Sequence, residues 1–225
     1  MRSSPGHAGR AVVAALVVFM LLAGCGGDDD DTTAATSATE PAPATTPTPT
    51  PTTAAGGGQA GGGTSPGNCD GSIGAETVEN VEVPAGATCR LEGTTVTGNV
   101  RVRRDATLDA RGATVDGDVQ GENARAVNVT MSSSVDGNIQ VEQGGSSNVT
   151  RTRIDGDLQW ENQRGRLVAD RNVIGGNLQA ESNRGGLTVT GNRIDGNLQC
   201  ESNRPAPTGG GNRVEGNKED QCARL

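Results

Sequence analysis

Five glutamates recur in one slot of a repeated phrase: Glu122, Glu142, Glu161, Glu181 and Glu201, the last in RIDGNLQCESN from Arg193 to Asn203. Repeated carboxylates can do two kinds of chemistry. A pair about 5–5.5 Å apart can cleave a glycosidic bond with retention. A longer row can collect divalent cations or a polycationic partner. The other reactive set is five cysteines: Cys25, Cys69, Cys89, Cys200 and Cys222. The one histidine, His7, lies close to the N-terminus. Serine or cysteine nucleophiles further along therefore have no imidazole to activate them.

The elements that must position these residues follow from an internal repeat. The glycines of successive "DGN"-like corners are Gly98, Gly117, Gly137, Gly156, Gly176, Gly196 and Gly216, in steps of 19, 20, 19, 20, 20 and 20 residues. An earlier copy aligns from Val81 without its glycine, which makes about eight units. Apolar spacing of 3.6 is absent. Short alternating runs broken at glycine or asparagine indicate strands instead. About twenty residues with two or three short strands make one coil of a parallel β-solenoid, stacked on the next at about 4.8 Å, so eight coils give a rod of roughly 40 Å.

Two inward columns are legible: Val96, Val115, Val135, Ile154, Ile174, Ile194, Val214, and Val100, Val119, Ile139, Leu158, Leu178, Leu198. The next slot after Leu198 holds Lys218, which marks the end of the core. Trp160 shares a column with Val141, Ala180 and Cys200 and is expected in the core. Asn99, Asp118, Asn138, Asp157, Asn177, Asn197 and Asn217 follow the corner glycines and are expected to stack as a ladder. Glycine is expected there for a left-handed corner. The Asp-Gly-Asn string also resembles part of a calcium loop, but its spacing fits neither an EF-hand nor the nonapeptide calcium repeat.

After each corner the strand reads apolar, Gln, variable, Glu. Gln120, Gln140, Gln159, Gln179 and Gln199 are expected in one outward column and the five glutamates in the next. Neighbouring carboxylates repel. Arg125, Arg164, Arg184 and Arg204 lie three residues after four of them, and Arg103 takes the Glu slot one coil earlier. The expectation is a solvated face laced with Arg–Glu pairs. The sharper alternative is a ladder that weakly binds a divalent cation, calcium included, or a polycationic partner.

The N-terminal segment is basic at Arg2 and Arg10, and the apolar run Ala11 to Leu22 is too short to span a bilayer. It ends in LAGC, Leu22 to Cys25, which resembles the lipobox of bacterial lipoproteins. The resemblance implies a signal peptide over 1–24 and lipidation, palmitate included, of Cys25, which would attach the chain to the cell membrane on its extracytoplasmic side. A diacyl anchor supplies the two chains that stable attachment needs. Residues 25–66, with GGDDDD, TPTPTPT and GGGQAGGG, are expected to form a disordered linker. Residues 67–225 are expected to form the β-helix domain.

Without the leader, 17 basic residues face 27 acidic ones, and Trp160 is the one aromatic. Nucleic-acid binding normally needs a basic footprint and stacking aromatics, so it is excluded. The four cysteines after Cys25 form an even set in an exported chain. Cys69 and Cys89 are about one coil apart, as are Cys200 and Cys222, and each pair lies at one end of the solenoid. Disulfides Cys69–Cys89 and Cys200–Cys222 are expected as end caps. Zinc is the rival, unsupported by any CxxC or histidine.

The domain resembles the right-handed parallel β-helices of exported bacterial proteins. Phrases such as TVTGNVRV and TVDGDVQ also resemble bactofilins, which polymerise by joining β-helices end to end. That similarity covers about Val81 to Asn217 and carries no catalytic residue. The lipobox and the cysteine-marked ends depart from it.

The function expected is a non-enzymatic, membrane-anchored envelope lipoprotein. Its rigid β-helix would be a monomeric surface-presenting, scaffolding or binding module for an envelope polymer or protein, with no cofactor beyond a weakly held divalent cation. The alternatives are a polysaccharide-acting β-helix enzyme and a bactofilin-like polymer-forming scaffold. Every coil offers the same carboxylate spacing, so no catalytic pair is singled out.

Overall fold

The computed structural model describes residues 67–225. The signal peptide expected over 1–24, Cys25 and the linker expected over 25–66 lie outside the described residues. The rest is a parallel β-solenoid of three eight-stranded sheets, one per face. The first face stacks Gly71–Ile73, Thr88–Glu92, Thr107–Arg111, Ala126–Thr130, Ser146–Thr150, Leu167–Asp170, Leu187–Thr190 and Thr208–Gly210. The second stacks two-residue strands, from Thr77–Val78 to Arg213–Val214. The third runs from Val81–Val83 through Val119–Glu122, Ile139–Glu142, Leu158–Glu161, Leu178–Glu181 and Leu198–Glu201 to Lys218–Asp220. The chain visits the faces in that order in every coil.

The interior follows from strand alternation. Val81, Val100, Val119, Ile139, Leu158, Leu178 and Leu198 pair in register. All seven are buried. A fully buried aliphatic side chain contributes about 1.5–3 kcal/mol, so each coil is held chiefly by its stacked neighbours. Trp160 lies in the column of Val141, Ala180 and Cys200 and is 1% exposed, a core residue as expected.

The corner ladder is present, but its glycines play a different part from the one expected. The seven glycines from Gly98 to Gly216 are not among the positive-φ residues. They are there for close approach. A Cβ on Gly117 would sit 2.5 Å from Asn99 Oδ1 and 2.7 Å from Gly98 O. That carboxamide oxygen accepts the backbone N–H of Asp118 at 2.9 Å. The pattern repeats from Asn80 to Asn217 in seven bonds of 2.6–2.9 Å. Only an acceptor is needed, so Asp118 and Asp157 alternate with asparagines. Left-handed backbone occurs instead just after the Glu slot, at Asn123, Gln143, Asn162, Ser182 and Ser202. It occurs again at the end of the first face, including Met131, Arg151 and Arg171.

Two further ladders are buried. Asn192 Nδ2 donates to Ala169 O at 2.9 Å, and its Oδ1 accepts from the backbone and the amide of Asn172 at 2.9 and 3.0 Å. Asn212 repeats this one coil on. Gln163, Asn183 and Asn203 do the same at the corner leaving the third face. These amides satisfy corner groups that strand ladders leave unpaired.

Each end coil is tied covalently to the coil beside it, while the outermost strand of each sheet is paired on one side. Cys69 is bonded to Cys89 and Cys200 to Cys222, with Cα–Cα separations of 5.4 and 5.3 Å. Lys218 follows Leu198 in the inward column, where its ammonium donates to Asn212 O at 3.0 Å and to Leu225 O. The apolar core ends there, as its sequence position implies.

Candidate functional site

The third face carries the repeated polar residues. Gln120, Gln140, Gln159, Gln179 and Gln199 are paired in register, and Glu219 ends the column. Gln140 Nε2 donates to Gln159 Oε1 at 2.9 Å, Gln179 to Gln199 at 3.0 Å, and Gln199 to Glu219 Oε2 at 2.9 Å. The column is half-buried and its amides are tied along the axis.

Glu122, Glu142, Glu161, Glu181 and Glu201 stack directly beside it, one per coil, all exposed. The strand spacing places successive members about 4.8 Å apart at the backbone. The lacing by arginine does not form. Among the described residues the ion pairs are Arg103–Glu82, Arg153–Asp155, Arg171–Asp170, and Arg193 with Asp195 and Glu215. None includes a ladder glutamate or Arg125, Arg164, Arg184 or Arg204. The left-handed residue after each glutamate turns the chain into the next corner, so three residues of sequence do not bring Arg and Glu face to face. Glu161 does accept a hydrogen bond from Asn162 Nδ2 at 2.9 Å.

Arg103, in the Glu slot one coil before Glu122, bonds Glu82 through Nε at 3.0 Å and Nη2 at 3.2 Å. This fork holds the Glu82 carboxyl below its ordinary range. It likewise raises the Arg103 guanidinium, with a smaller contribution from the charge of Glu122. The column therefore begins against one occupied cation and continues through five carboxylates without another.

Chemically, the face is a flat strip with a rigid amide row beside a negative row. Among the described residues no three His, Cys, Asp or Glu side chains group as a metal ion would require. The carboxylates form a line rather than a cage. The two disulfides fit an oxidising, extracytoplasmic compartment.

Comparison with protein-family models, with curated proteins and with solved structures finds no match to this chain.

Proposed function

We propose that the protein is a non-enzymatic, membrane-anchored envelope lipoprotein whose rigid β-solenoid presents a binding face to an envelope polymer or protein. The observation that carries this is the uncompensated glutamate column. Like charges directly opposite on neighbouring strands are destabilising. Here the arrangement recurs from Glu122 to Glu201 beside an amide row that is hydrogen-bonded along the axis at two steps, Gln140 to Gln159 and Gln179 to Gln199. A stability cost repeated over five successive coils is characteristic of a surface kept for contact rather than for folding. The partner that suits it carries spaced positive charge. A row repeated along successive coils suits presentation along the side of the rod. The anchor rests on the LAGC motif at Cys25 and on the linker composition of residues 25–66.

The test is retention from envelope extract on immobilised protein, comparing the native chain with one in which all five ladder glutamates are glutamine. A partner held by the native face and released by the substituted one is expected. Identical retention by both would remove the ladder from the function. Mass spectrometry of the mature N-terminus should show a lipidated Cys25, and Cys25→Ser should leave the membrane fraction.

A further inference from the structure

The third face is not the only built surface. Coil four differs from its neighbours at the corner leaving the first face. Thr130 to Val135 is five residues, whereas Arg111 to Val115 and Thr150 to Ile154 are four. The extra residue gives two consecutive left-handed residues, Met131 and Ser132, at φ 59° and 62°. Met131 stands out of the surface at 63% exposure.

The projection is fixed in place. Ser133, buried beneath it, donates to Thr130 O at 2.7 Å and accepts from the Ala113 backbone at 3.1 Å. Ser132 N donates to Arg151 O at 2.9 Å. Left-handed backbone is regular at this corner, as at Arg151 and Arg171; its doubling at Met131 and Ser132 sets coil four apart.

The projection walls a groove of about 430 Å³, within the range of small-molecule sites. Its floor is one outward column of the first face, Asp109, Asn128 and Asn148. Asn128 Nδ2 donates to Asp109 Oδ1 at 2.7 Å. Asn148 Oδ1 is buried and has no hydrogen-bond partner among the described residues. Arg111 and Arg151 line the groove two coils apart, about 10 Å along the axis. Both are exposed, and neither is in an ion pair among the described residues.

We propose that this groove binds a short acidic oligosaccharide. Its carboxylates meet the guanidiniums of Arg111 and Arg151, and its hydroxyls meet the floor of Asp109, Asn128 and Asn148. The thioether of Met131 closes one side against a sugar ring. Arginine suits carboxylates because its fork bonds them in a plane. Side-chain amides and the threonine hydroxyls of Thr130 and Thr150 suit a ligand rich in hydroxyls. A peptide would instead seek a free strand edge or apolar pockets, and the floor strands are paired on both sides. The inference does not rest on the third face, so its failure leaves the ladder reading intact.

The test is side-chain amide NMR of Asn128 and Asn148 in the protein, titrated with a tetrasaccharide alternating glucuronate and N-acetylglucosamine. Chitotetraose is the neutral reference and tetraglutamate the peptide reference. Arg111→Gln and Arg151→Gln are the test variants, with Arg164→Gln as a charge-matched control at another corner. All three positions are exposed, so the fold is retained, and far-ultraviolet circular dichroism checks it. The expected result is a Kd of about 1 mM or tighter for the acidic sugar, weakened about tenfold by each groove variant and unchanged by Arg164→Gln. Four results would each overturn the proposal: no titration at millimolar sugar, equal binding of chitotetraose, tetraglutamate binding as tightly, or equal weakening by the control.

Discussion

Changing Glu161 and Glu181 to glutamine should make the protein more stable. The pair removes three neighbouring carboxylate contacts, Glu142–Glu161, Glu161–Glu181 and Glu181–Glu201. At about 4.8 Å in water each contact costs on the order of 0.9 kcal/mol before salt screening. Exposed side chains splay apart and ions screen them, so about 1–2 kcal/mol should be gained at low ionic strength. For a domain of this size that is a rise in Tm of roughly 2–8 °C. The glutamines can also join an amide row like the one from Gln179 to Gln199. Thermal melts at about 10 mM and 1 M salt measure both parts, because the Debye length falls from about 30 to 3 Å between them. The gain should largely vanish at high salt. A Tm that falls at low salt would refute the reasoning, since it would mean that arginines compensate the column in solution.

Replacing both Cys200 and Cys222 with alanine opens a loop of 22 residues and should cost about 3.3 kcal/mol on the chain-entropy account. In a stack held by nearest neighbours the loss should be local: amide exchange should speed up in 208–220 and stay slow in the middle coils. Asn192→Ala removes the acceptor for Asn172 and the donor to Ala169 O, so it should cost about 2–5 kcal/mol in denaturant melts. The Glu82 carboxyl is depressed by Arg103, so its contribution to stability is present above its unfolded pKa and is lost as pH falls through the lower folded value. Carbon-detected NMR titration of Arg103→Gln should show Glu82 moving back up towards 4.5.

The coil length and the aliphatic columns were legible because stacking converts a sequence period directly into contacts, whereas the pattern allowed two or three strands per coil and the structure has three faces. The Gln and Glu columns follow from the same register. What could not be read were features set by backbone rotation at corners. Arg164, three residues after Glu161, looks like its partner in sequence, but left-handed Asn162 intervenes. The corner glycines were legible as a column, whereas their reason, the carboxamide of the preceding coil, needed the packing distance. The buried ladders of Asn172, Asn192 and Asn212 had a signal in the Asn that recurs two residues before Ile or Val. Polar residues at a corner read as solvated until the chain is seen to fold over them. The projecting Met131 was hidden in one 20-residue step between two of 19.

On the proposed function, the third face is the contact surface at the envelope. Photo-crosslinking in living cells tests it directly, with a photoreactive residue placed at Gln140 or Gln179 on the third face and at exposed Val173 on the second. A discrete adduct is expected from Gln140 and Gln179, none from Val173, and loss of the adduct when the five glutamates become glutamine. Equal adducts from both faces, or a third-face adduct that survives that change, would contradict it.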